Sequence, residues 1–323
     1  MARIEEFGTT RSGTTVQRVT LDNGTLTVAV LTKGATVQSV RLAGVAHDLT
    51  LGSDRLADYE GKMRSFGALI APVANRLSEA QAPIAGRIHE FEPNQEARHT
   101  LHSGSAGTQH KVWTLAAATD TSLTLTLALP DGEGGFPGNR HVTAHFSLAG
   151  AALRLEVTAT TDALTLFNAA NHSFWNLDGS DSWAGHLLQV DADSYLPTTA
   201  DFIPTGEIAD VTGTHYDLRV LRPVMPRTDA YDTNFCLSDG RDLLREVLWL
   251  RGASGLTLAL ATTEPGLQVY DGRNAARPGR SFYEGLAFEP QMWPDAPNHP
   301  GFPSIELHPG ETYRQISEWR FSR

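Results

Sequence analysis

Three features of this 323-residue chain predict an all-β fold, a large antiparallel β-sandwich: period-two alternation, closely spaced turn signals, and little helical periodicity. In SLTLTLALP, Ser122 to Pro130, Leu123, Leu125, Leu127 and Leu129 fall on one face, and Thr124 and Thr126 on the other. LTVAVL, LRLEVTAT and LTLALATT repeat the pattern. Successive side chains of a strand point to opposite faces, so such alternation means one buried face and one wetter face, as in antiparallel sheets.

Turn chemistry separates these runs. LDNGTL carries a hairpin-type Asn-Gly, and PDGEGGFPGN, NLDGSDS and LSDGRD cluster the residues that accept positive φ or fix φ. The best short-helix candidate is DRLADYEGKMR. No fixed-period repeat, low-complexity tract or composition shift marks a linker, so residues 1–323 are read as a single sandwich domain with long loops.

Composition narrows the function. With 26 Lys and Arg against 37 Asp and Glu, the net charge is −11, which argues against nucleic acid or an anionic membrane as partner. The single cysteine, Cys236, permits no intrachain disulfide and reads as a packing residue. The N-terminal MARIEEFGTT lacks a signal-peptide apolar run and no segment reaches transmembrane length, so a cytoplasmic location is expected.

The loops are where chemistry is to be sought. Twelve histidines include no HExxH, and the pair His141 and His145 lies in RHVTAHF, an ordinary amphipathic strand; no metal site is expected. No Gly-x-Ser-x-Gly elbow and no phosphate-cradling glycine loop is present. General acid–base chemistry fits better. His172, in NHSFWNLDG, reads either as a satisfied turn histidine or as a proton donor with an ordinary pKa near 6.5 that needs little tuning. Glu289, in LAFEPQ, is either a strand-end surface charge or a desolvated base, and the residues alone favour the surface. Phe174 and Trp175 read as core side chains.

Eight segments together carry a family resemblance: ANRL (74–77), TLHSG (100–104), DGEGGFPGN (131–139), NHSFWNLDG (171–179), IPTGEI (203–208), YDTNF (231–235), TTEPGLQVYDG (262–272) and FEPQMWPDAPNHPGFPSIELHPGETY (288–313). In this order they resemble the aldose 1-epimerases, or galactose mutarotases, along nearly the whole chain. The resemblance implies a galactose-mutarotase-like β-sandwich whose open face holds one monosaccharide, with His172 as acid and Glu289 as base. It further implies that Asn75, Arg76, His102, Asp232 and Gln268 hold the sugar hydroxyls. No cofactor is expected, and the chain is expected to act as a monomer or weak homodimer.

Three positions depart from the family pattern. Ala71-Pro72 stands where Gly-Arg is usual, removing a cation and a backbone donor from the expected rim. Ser103 replaces a glycine and must accept its backbone angle, and Phe174 replaces a frequent tyrosine. Rival readings are a mutarotase of hexose 6-phosphates, with Arg64, Arg87 or Arg98 clustered beside Arg76, a non-catalytic sugar-binding protein, and a glycosidase using Asp232 and Glu289.

Overall fold

The alternating segments become strands. In the computed structural model, which describes residues 2–323, Ser122–Leu129, Arg140–Ala149, Ala152–Thr161 and Tyr313–Ser322 lie antiparallel, side by side. They form the middle of a nine-stranded sheet, with Thr114–Ala118 at one edge. On the other side the sheet continues through Thr257–Thr262, Arg245–Arg251, Leu187–Val190 and Arg222–Pro223. Leu123, Leu125 and Leu129 are buried as the alternation requires, and Leu127 is partly buried.

A six-stranded sheet runs Phe174–Trp175, Leu286–Gln291, Gly266–Tyr270, Asp232–Cys236, Ser194–Tyr195, Ala209–Asp210. A four-stranded antiparallel meander is built from Arg3–Thr9, Thr15–Asp22, Leu26–Leu31 and Thr36–Leu42. One apolar cluster draws on all three sheets: Val28 and Val30 from the meander, Leu155, Leu260 and Trp319 from the nine-stranded sheet, and Leu267, Val269, Leu286 and Phe288 from the six-stranded one. Trp175 packs into it against Trp319 and Phe321, with ring centroids 6.0 and 5.6 Å away. Each buried Leu or Phe contributes about 1.5–3 kcal/mol, so this seam, where the sheets meet, holds the fold together.

The helical expectation shrinks to a single turn, Leu56–Tyr59, anchored by buried Leu56 and Tyr59. Four residues cannot sustain a helix without packing, and Gly61 follows at once. In LDNGTL, Asn23 Oδ1 accepts from the backbone N–H groups of Thr25 and Leu26 at 3.0 and 2.8 Å, closing the hairpin. Cys236 is buried and its thiol is pushed up to about 12 by burial, which suits a packing residue. His145 bonds Thr124 Oγ1 at 2.9 Å within the nine-stranded sheet. Among the described residues no helix is long and apolar enough to cross a membrane.

Candidate active site

The six-stranded sheet sorts its side chains by parity. Leu286, Phe288, Leu267, Val269 and Phe235 enter the core, so their neighbours Glu289, Gln268 and Asn234 take the opposite face. The register aligns Glu289 with Gln268 and Gln268 with Asn234, and in the next row Ala287 with Tyr270 and Tyr270 with Asp232. Phe174 pairs with Ala287. Continuing that register by two residues sets His172 opposite Glu289. Two residues far apart in sequence are thereby brought together by strand pairing.

His172 is held from behind. Its N–H donates to Ala68 O at 2.9 Å and its carbonyl accepts from Gly67 N at 2.9 Å. Asn171 Nδ2 donates to Gly67 O at 2.9 Å, and Asn171 Oδ1 accepts from Ser173 N at 3.1 Å, so the asparagine secures the turn. Gly67 is required there: its φ is +70°, and a Cβ would come within 2.2 Å of Val37 O. Phe174 lies 5.1 Å from the imidazole centroid and packs on Phe66 at 4.4 Å. Under this apolar cover the imidazole pKa drops to about 4 because burial disfavours the cation. The sequence expectation of an ordinary histidine needing little tuning is therefore corrected: His172 is neutral at neutral pH.

Glu289 is 2 % exposed, which corrects the preference of the residues alone for a surface charge. Its Oε1 lies 3.6 Å from His172 Nε2, and its Oε2 has no partner among the described residues. Burial first, and then the charge of Asp232, pushes this carboxyl up to about 8, against the opposing pull of Arg76. At pH 7 the pair carries one proton, held mostly by the carboxyl.

A second group of side chains faces this pair. Arg76 starts the short strand Arg76–Leu77, which pairs with Thr100–Leu101 and so brings His102 alongside. Asn75 N donates to His102 Nδ1 at 3.1 Å, and His102 N donates to Asn75 O at 2.8 Å. Accepting at Nδ1 fixes the proton of neutral His102 on Nε2, and burial, with the charge of Arg76, keeps the ring neutral. His102 and His172 meet edge to face, 5.5 Å between centroids. Arg76 donates from Nε to Gln95 at 2.9 Å and from its Nη2 to Asp232 Oδ2 at 3.4 Å. Asp232 Oδ1 accepts from Gln268 Nε2 at 2.6 Å.

These groups line a cleft of about 1070 Å³. Of the seven residues singled out from the sequence, His172, Glu289, Asn75, Arg76, His102 and Asp232 line it. Gln268 stands beside Glu289 in the same row of the sheet, and its Nε2 holds Asp232 Oδ1. Arg64, named for the hexose 6-phosphate reading, lines the cleft too; Tyr270, Phe202 and Lys62 also line it and were missed, although Tyr270 follows Gln268 by two and period two already puts it on the same face. Ser103 takes the left-handed angle expected of the glycine it replaces, φ 61°, and its hydroxyl bonds both Val73 N and Val73 O. Pro72 is buried and does not line the cleft, so its effect on the rim is indirect.

His102, His172 and Glu289 bring three donor atoms within 4.8 Å of one another, a grouping not expected from the sequence. The tautomer of His102 speaks against a metal: its Nδ1 lone pair is engaged by Asn75 and its Nε2 carries the proton. The trio is better suited to hydrogen-bond an oxygen-rich, uncharged ring.

Residues 17–319 match the family described as Aldose 1-epimerase. The galactose mutarotase of Mus musculus is 34% identical over 329 residues, covering 96% of this chain and 95% of its own. The solved aldose epimerase homologue from C. elegans aligns with TM-score 0.89 and 27% identity, over 95% of this chain and 98% of its own. The galactose 1-epimerase structure from Lactobacillus acidophilus aligns with TM-score 0.87 and 26% identity, over 100% of this chain and 98% of its own. With a register that joins His172 to Glu289 in a galactose-mutarotase-like sandwich and a family match over nearly its full length, the chain belongs to the aldose 1-epimerase family of isomerases.

Proposed function

We propose that this protein interconverts the α and β anomers of a free aldose of the galactose and glucose class, with His172 and Glu289 exchanging protons with the ring. The observation that carries the reading is the buried pair, 3.6 Å apart on the cleft floor, where burial pushes the imidazole toward its neutral form and the carboxyl toward its protonated one. Ring opening requires the C1 hydroxyl to lose its proton, C1=O to form, the C1–O5 bond to break, and O5 to gain a proton. One group must be empty and the other loaded, which is the inventory of this pair. Moving the proton from Glu289 to Nε2 of His172 leaves the total charge unchanged and yields the working tautomer, with Glu289 as base toward O1 and His172 as acid toward O5. Rotation about C1–C2 exposes the other carbonyl face, and closure runs the transfers backwards. Each transfer is worth about 10²–10⁴-fold.

The surrounding groups match a hydroxyl-rich substrate. His102 Nε2 donates, Asp232 accepts, and Arg76 offers a planar edge of donors. Asp232 is engaged by Arg76 and Gln268 at its two oxygens. A hexose 6-phosphate is a second reading, favoured by Lys62 and Arg64: both line the cleft, and neither has an ion-pair partner among the described residues. Arg87 does not join them, and Arg98 is engaged by Glu79 and Asp201 outside the cleft lining.

Polarimetry on freshly dissolved α-D-galactose, α-D-glucose, L-arabinose and D-xylose tests the proposal. Enzyme-dependent relaxation of at least one free aldose is expected. Relaxation at the spontaneous rate for all four, with acceleration of a hexose 6-phosphate, replaces the first reading with the second.

A further inference from the structure

Phe202 sits at the tip of a tight hairpin closed by a bridge between Thr198 and Pro204. Its backbone has φ 61°, a left-handed angle that a bulky aromatic rarely adopts, stitched by Phe202 N to Thr199 O at 3.0 Å and Thr199 N to Ile203 O at 2.8 Å. Asn or Gly would occupy such a turn without strain. A strained position is kept where the side chain it presents is useful, and this ring is presented to the cleft. The Arg76 guanidinium carbon lies 5.1 Å from the ring centroid and that of Arg273 lies 5.9 Å from it.

We infer that Phe202 is a positioning residue for sugar binding, holding the Arg76 guanidinium by its face. A guanidinium donates hydrogen bonds in its plane and interacts with an aromatic ring through its face. Stacking on Phe202 therefore fixes the plane of Arg76 without consuming a donor. Gln95, Asn75 and Asp232 engage its edge at 2.9, 3.4 and 3.4 Å, and the sugar hydroxyls meet that same oriented edge. Arg273 is anchored through Nε and Nη2 to Asp271 at 3.0 and 2.8 Å, so a second, independently tethered cation lies near the ring. The neighbouring Asp201 accepts from Arg98 at 3.4 Å, which ties the hairpin tip to the segment that follows Arg76. Phe202 touches neither reacting atom of the proposed chemistry and acts through Arg76.

The inference rests on the proposed mutarotase reading, and steady-state kinetics with α-D-galactose on wild type, Phe202→Leu, Phe202→Tyr and Phe202→Gly test it, each variant checked by thermal melting. Leucine keeps apolar bulk but removes the π face, and glycine removes the ring while relieving the left-handed strain, so at least one ringless variant folds. KM is expected to rise about three- to tenfold in both, with kcat within twofold of wild type, and tyrosine is expected to restore KM to within twofold. Wild-type KM in the folded ringless variants overturns the inference, as does a tyrosine variant as impaired as leucine. A fall in kcat at constant KM does the same. A wild type that leaves mutarotation at its spontaneous rate removes the proposed function and this inference together, whereas the three preceding outcomes in an active wild type remove the inference alone.

Discussion

Two buried glutamates in this chain precede a proline near the end of a strand: Glu264 in TTEPG and Glu289 in AFEPQ. Their surroundings differ. Glu264 receives Nε and Nη2 of Arg241 at 2.7 and 3.2 Å, Thr263 Oγ1 at 3.4 Å, and the arginine in turn stacks 4.2 Å from the Tyr313 ring centroid. Glu289 faces a neutral imidazole at 3.6 Å, and one of its oxygens has no partner among the described residues. Burial raises both carboxyls, but Arg241 opposes the rise at Glu264 directly, while at Glu289 the charge of Asp232 adds to it. A satisfied buried carboxylate braces the fold; a starved one holds a proton that chemistry can use.

The widest separation between the two is expected in turnover. Glu289→Gln and His172→Asn should each lower kcat for α-D-galactose by two or more orders of magnitude, and Glu264→Gln should stay within about fivefold of wild type. Polarimetry on the three variants under one set of conditions reads this, and equal losses at Glu264 and Glu289 break the comparison.

Stability should move the other way. In the unfolded chain Glu289 ionises above about 4.5, whereas in the fold it keeps its proton until about 8, so its contribution to stability declines as pH rises through that window. Glu289→Gln is therefore expected to stabilise the protein at pH 7 by on the order of 1–3 kcal/mol in urea unfolding. Glu264→Gln leaves Arg241 without its anion and is expected to destabilise by about 1–3 kcal/mol, the lower part of that range following from the partial exposure of Arg241. Both variants moving in the same direction removes the distinction.

A smaller effect sharpens the same point at the substrate end. Arg76→Lys keeps the charge beside Asp232 but loses the planar edge and the stacked face, so KM for α-D-galactose should rise roughly tenfold with kcat little changed. A lysine variant with wild-type KM reduces Arg76 to a point charge.

The difference between the two glutamates also marks where sequence reading stops. Period two was enough to find the sheets, because one-face burial imprints itself on every strand, as in Leu123 to Leu129. Phe174 and Trp175, read as core side chains for their size and not from alternation, are both buried. Glu264 and Glu289, by contrast, sit in the same Glu-Pro dipeptide, and their fates depend on what the fold brings from 23 residues upstream in one case and from the Ala170–Trp175 segment in the other. The family resemblance pointed to His172 and Glu289 together, but not to their charge states, since desolvation by Phe174 and Phe66 is a tertiary property. The face of Gln268 was legible, but its hydrogen bond to Asp232 came from the register between two strands. Phe202 left no pattern at all, since a left-handed aromatic is invisible until its φ is known.

The claim on which the rest depends is that His172 and Glu289 share a single proton across neutral pH. The pH profile of kcat/KM for a free aldose, corrected for spontaneous mutarotation, tests it most directly. Below about 4 the imidazole of the free enzyme takes up a second proton and no base remains; above about 8 the carboxyl loses the shared proton and no acid remains. A plateau bounded by limbs near these two values is the predicted result. A rate that climbs through a limb near 6.5, as for an ordinary solvent-exposed histidine, or stays undiminished well above pH 8 would contradict it.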